Sequence, residues 1–256
     1  MTTETDVLDS LRGAVNSERL LETAVKLIDV PSPTGSAGDV AQCLAGILES
    51  DGFVVDRPDA DWPEAPAVVT RLDSGGPGPT LQFNGHLDTV HLPFVPARIE
   101  NGILYGSGSS DMKGGVAAMV EALRILRDTG ALTAGTVLLT THELHEAPWG
   151  DSRQCRAMID DGTVGDAVMI PEYISDIMPV GGRGLAIFHI CITRAGDPVH
   201  EVLGGIDAPS VIGAGAEVIR RFGELDVELS AVNHDMFGRE SVFIGQANAG
   251  EIYNQA

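Results

Sequence analysis

Two apolar runs of strand character, LQFNG at 81–85 and GTVLLTT at 135–141, enclose one long amphipathic stretch at 112–128. Val116, Met119, Val120, Leu123 and Leu126 recur there at helical spacing and form a single apolar stripe. A strand, a helix and a second strand in that order make a crossover unit with parallel strands, and such sheets are covered by helices on both faces. This unit confines the chain to the α/β class.

The rest of the first part extends the same alternation. Apolar positions at helical spacing run from residue 7 to 29 and stop at VPSPTG, where two prolines and a glycine end the helix. A second helix is expected near 37–50, then short strands in FVVD and PAVVTRL. ARIENGILYG reads as a hairpin turning at Asn101-Gly102. A helix near 152–161 and a strand at 166–170 complete a three-layer domain with a mostly parallel central sheet. After MPVGGRG the pattern changes. GLAIFHICITR alternates like a strand with one solvated face, a helix follows near 208–223, and SVFIGQA reads as another strand. The boundary is therefore placed at 181, giving domains 1–181 and 182–256.

Charge narrows the function. The 256 residues carry 16 Lys+Arg against 37 Asp+Glu, a formal net charge of −21, which disfavours nucleic acid and anionic membranes as partners. The polar, acidic stretch MTTETDVLDS is not expected to serve as a signal peptide, and no uncharged stretch of the sequence approaches a membrane span. The three cysteines are widely spaced and without a CxxC pair, as expected of thiols in a reducing, cytoplasmic compartment.

In open α/β sheets functional groups gather at the carboxyl ends of strands. His86 and Asp88 follow LQFNG, Asp111 opens the 112–128 helix, HELHE follows GTVLLTT, and Glu172 follows DAVMIP. Imidazole and carboxylate oxygen are the donors a borderline cation such as zinc takes. Asp111 also suits the role of helix N-cap. GSGS at 106–109 lacks the Lys-Ser or Lys-Thr of a phosphate loop.

FNGHLDTV, LYGSGSSDMKGGVAAMVEAL and the later PE resemble the zinc aminoacylase, acetylornithine deacetylase, succinyl-diaminopimelate desuccinylase and glutamate carboxypeptidase family. The likeness runs from about residue 18 to the end, and DMKGG placed 25 residues beyond His86 is its most specific part. The resemblance implies that His86 binds one zinc ion, Asp111 bridges two, Glu172 completes the first site, and Asp88 fixes the His86 ring or steers the base. Two zinc ions, with cobalt or manganese as alternatives, would polarise an amide carbonyl and lower the pKa of a bridging water. The implied substrate is an N-acyl amino acid or small peptide.

The family carries adjacent glutamates, base then ligand, 34 and 35 residues past the bridging aspartate. Here those places hold His145 and Glu146. Glu146 is the expected ligand of the second site, and His145 stands where the base belongs. Three readings stay open: His145 is the base with a carboxylate orienter, Glu143 is the base after a shift, or hydrolysis is lost and a non-hydrolytic metal-binding scaffold remains. The family's last zinc histidine comes from a later part of the catalytic domain, whereas only His189, His200 and His234 follow Glu172. The chain is thus expected to be C-terminally truncated, and poorly stable and inactive alone. Residues 182–256 resemble the start of the family's ferredoxin-like α+β lid, which implies a homodimer. RAGDPVHEVLGGIDAP sets His200 where a lid histidine meets the oxyanion in a neighbouring subunit.

Overall fold

Asn16 divides the first helical stretch, predicted as one helix over 7–29, into α1 (Glu4–Gly13) and α2 (Ser17–Ile28). Its side-chain oxygen accepts the Arg19 N–H as an N-cap. Its own N–H donates to Glu121, on the long helix α4 (Lys113–Thr129). Periodicity alone does not register such a cap, because the apolar spacing continues across it. The computed structural model describes residues 4–172, 181–204 and 207–250. It divides into two compact units, Met1–Asp176 and Ile177–Ala256. The expected boundary at 181 adjoins residues 173–180, which lie outside the described set.

The first unit adds α3 (Gly38–Ser50), β1 (Val55–Asp56), β2 (Val68–Asp73), β3 (Thr80–His86), β4 (Arg98–Glu100), β5 (Ile103–Tyr105), β6 (Thr136–His142), α5 (Arg153–Asp160) and β7 (Ala167–Met169). One sheet runs in the order β1-β2-β6-β3-β7. Its strands β6, β3 and β7 are mutually parallel, and β2 and β1 join antiparallel at one edge. The β4–β5 hairpin turns at Asn101-Gly102, both with positive φ, as that dipeptide demands.

Burial on both sheet faces explains the near-continuous apolar strands. Val137 and Leu139 of β6 pack with Leu27, Leu44, Val116 and Leu123, while Leu138 points the other way toward Val69 and Met158. Helices α2, α3 and α4 thus contribute to one core and α5 to the second, giving the three layers expected. An ion pair ties α2 to α4: Arg19 donates to both oxygens of the buried Glu121 at 2.8 Å.

In the second unit, α6 (Val211–Leu229) begins at an Ser210 N-cap and a short hairpin joins β8 (Asn233–His234) to β9 (Gly238–Arg239). The strands expected at 184–194 and 241–247 do not form. Alternation supplies two faces but no ladder partner, and without pairing the segment has no sheet to join; Leu185 and Phe188 are exposed. Among the described residues no helix is long and apolar enough to cross a membrane.

Candidate metal centre

The parallel register of β3 and β6 sets His86 directly beside His142, so the polar segments after both strands emerge at one end of the sheet. His86 is fully buried, and its two ring nitrogens have separate partners. Nδ1 lies 2.9 Å from the Asp88 carbonyl and Nε2 2.9 Å from Asp111 Oδ1.

The DMKGG motif explains how Asp111 gets there. Met112 is buried and its sulfur accepts the His86 N–H at 3.2 Å. Lys113, wholly buried, donates to the Val30 carbonyl at 2.7 Å and locks the segment to the loop after α2; burial depresses its pKa to about 8. A Cβ on Gly114 would lie 2.3 Å from the Ser109 carbonyl oxygen, and one on Gly115 would lie 1.9 Å from that of Pro171. The second glycine therefore lets α4 approach the chain immediately before Glu172. Asp111 does not act as the N-cap: Met112 holds that position, without a side-chain cap bond, and the Asp111 carboxylate turns to His86.

Asp88 laces the neighbouring loops together. Its Oδ2 accepts Thr34 Oγ1–H at 3.0 Å and the N–H groups of His145 and Glu146 at 3.1 and 2.9 Å. Burial would raise this carboxyl, but the His86 bond, the Glu146 N–H, the His86 charge and Thr34 outweigh it and hold it below the usual range. For His86, burial works to lower the pKa, and the bonds and charges of Asp88 and Asp111 reverse this to a net rise.

His86, Asp111 and Glu146 each present one ligand atom, all within 4.8 Å of one another. Glu146 is raised above the ordinary carboxylate range by burial and by the nearby charges of Asp111, Asp88 and Glu172. Glu172 is half-buried, and its charge also reaches His145. Crowded carboxylates with one imidazole fit a divalent cation, which removes their mutual repulsion. Asp88 Oδ1, buried, stands 3.5 Å from His86 Nδ1, ready to brace a ring engaged on its other nitrogen.

His145 lies outside the three-donor group. Its ring stacks on His86, centroids 4.1 Å apart and 12° from parallel, and it meets His142 edge-on. Burial and the neighbouring His86 lower its pKa. Glu143 points elsewhere: its oxygens accept the Ala37 N–H at 2.8 Å and the Trp62 indole N–H at 2.7 Å. Its own N–H donates to the buried Gln154 at 2.6 Å. In the second unit His200 caps a short turn of helix, Glu201–Leu203, through Nδ1 and the Val202 N–H. Thr34, His91 and His142 were not singled out from the sequence. HELH places His142 three residues before His145, which is the one signal that marks it.

The fold and this donor set are those of an α/β protein with a candidate metal centre at the carboxyl ends of parallel strands. Residues 82–240 match the model of peptidase family M20/M25/M40, and the chain belongs to that family. Over 210 residues it is 33% identical to a succinyl-diaminopimelate desuccinylase of Gluconacetobacter diazotrophicus, covering 72% of this chain and 54% of that protein. The chain thus spans about half the length of this relative. Among solved structures, a tripeptidase from Staphylococcus aureus superposes with a TM-score of 0.53 at 22% identity, over 64% of this chain and 46% of the other. A family metallo-carboxypeptidase from Sulfolobus solfataricus gives 0.52 at 22% identity, over 59% and 37%. These two likenesses carry the fold.

Proposed function

We propose that this chain acts in hydrolysing the amide bond of an N-acyl amino acid or small peptide, with zinc held by His86, Asp111, Glu146 and Glu172. The observation that carries the reading is the meeting of His86, Asp111 and Glu146, brought together from three separate chain segments. The cation's chemistry here is Lewis-acid polarisation of a carbonyl and activation of water. Asp88 holds the His86 ring and the backbone of residues 145 and 146. His145 takes a proton from the attacking water on a ring nitrogen and delivers it to the departing amine nitrogen as the carbonyl carbon gains the hydroxyl. Glu143 is not the base in this reading, because both of its oxygens are engaged by Ala37 and Trp62. Residues 182–256 serve as lid and dimer contact, with His200 offered to a neighbouring subunit's oxyanion, and the protein works in the cytoplasm.

One observation favours a second reading, retained metal binding without turnover. A histidine stands in the place of a glutamate base and stacks on the ligand His86, and an imidazolium there would sit beside the bound cations. Zinc per chain, measured by competition with a chromophoric chelator, and turnover of a panel of N-acyl amino acids separate the two. His86→Ala is expected to lower zinc affinity at least tenfold. His145→Ala is expected to keep zinc and lose roughly 10²- to 10⁴-fold in kcat, while Glu143→Ala lowers thermal stability. Bound zinc with no turnover, measured on the complete reading frame, establishes the second reading. Unchanged zinc affinity in His86→Ala removes both.

A further inference from the structure

The metal chemistry makes no use of Trp149, a large aromatic three residues beyond Glu146. Its turn begins at Glu146, whose carbonyl accepts the Gly150 N–H at 2.7 Å. A Cβ on Gly150 would lie 2.5 Å from the His145 carbonyl, so residues 146–150 form a tight loop that presents Trp149 three positions from a metal donor. The indole is 62% exposed. It meets the His91 ring edge-on, centroids 5.8 Å apart. His91 lies three residues beyond Asp88 and donates from Nε2 to the Thr34 carbonyl at 3.0 Å, which holds its ring in place.

The loops after β3 and β6 are thus joined at two levels. Below, Asp88 accepts the N–H groups of His145 and Glu146; at the surface, His91 bears on Trp149. Val90 and Leu92 add exposed apolar surface to the first loop. An apolar lip therefore lies on the two loops that carry Asp88 and Glu146. A molecule suited to this lip and to the metal donors has a polar, hydrolysable amide and an apolar group next to it.

We propose, resting on the hydrolase reading above, that Trp149 braced by His91 is the specificity wall of this site and selects N-acyl amino acids with long aliphatic or aromatic acyl groups over acetyl or succinyl ones. A long acyl chain laid on the indole leaves water with it, whereas a terminal carboxylate would lose hydration against the same face.

Calorimetric binding of N-acetyl-, N-succinyl-, N-octanoyl- and N-benzoylglycine to the full chain, zinc-loaded and metal-free, tests this, with tryptophan emission followed in parallel. Octanoylglycine is expected to bind roughly tenfold or more tightly than acetylglycine, with a shift in emission that disappears in Trp149→Phe. Trp149→Ala should remove most of the octanoyl-to-acetyl ratio, and Trp149→Phe should restore it; a melting curve for each variant verifies folding. The wall is overturned by a ratio that survives Trp149→Ala, by succinylglycine binding as tightly as octanoylglycine, or by no binding of any acylglycine. Turnover of the same compounds is scored separately. With turnover measured on the complete reading frame, the ratio without turnover refutes the hydrolase reading and supports the wall; turnover without the ratio does the reverse.

Discussion

Where β6 ends, His142, Glu143 and His145 leave the strand toward three different surroundings. An extended path would set Glu143 and His145 on one side, as strand alternation predicts. Leu144 instead adopts φ 62, a left-handed conformation that redirects the chain. Glu143 thereby reaches Ala37 and Trp62, and His145 reaches His86. No residue type at 144 announces this turn, so the role of Glu143 was illegible in the sequence. His142 is buried, and its Nδ1 has no hydrogen-bond partner. Burial, aided by His145 and His86, pushes its pKa from 6.5 down to about 4. A depressed histidine favours the fold in full above its unfolded pKa, and that contribution fades as pH falls toward the folded value. The metal-free chain should therefore lose stability from pH 6.5 to about 4, by about 3 kcal/mol from this residue. His142→Gln should flatten the slope in urea melts across that window; an unchanged slope would remove His142 as its source.

At the scale of elements, DMKGG does its work through fit against backbone. Gly115→Ala drives a Cβ to 1.9 Å from the Pro171 carbonyl oxygen, which belongs to the chain leading into Glu172. Relief requires α4 or that segment to move, at a cost of about 1–3 kcal/mol or more. Gly85→Ala meets the methyl end of Met112 at 2.7 Å, a flexible group that can rotate away. Thermal melts should rank Gly115→Ala as the more damaging change, and the reverse order would contradict this account of the motif. The elements of the first unit were largely legible because each carries its own period and stop signals: α4 ends at Gly130, whose φ of 63 is the left-handed C-cap a glycine supplies. The run at 184–194 has a strand's period and no strand, since pairing depends on a second segment that the pattern does not name.

For the whole molecule, a formal net charge of −21 means mutual repulsion that the folded state concentrates. Raising ionic strength from about 0.01 to 0.15 M shortens the screening length from about 30 to 8 Å, and Tm should rise by several degrees; a Tm independent of salt would show that the charges are already balanced locally. Class, layer order and the positions of His86, Asp111, Glu146 and Glu172 at strand ends were determined by the sequence alone, because period, capping and motif spacing are local properties of the chain. The tertiary structure alone decided which of these side chains meet, that Asp111 turns to His86 rather than capping α4, that Glu143 braces α3, and that Trp149 stands against His91. Those outcomes depend on segments remote in sequence competing for the same hydrogen-bond donors and the same space, and only packing settles that competition.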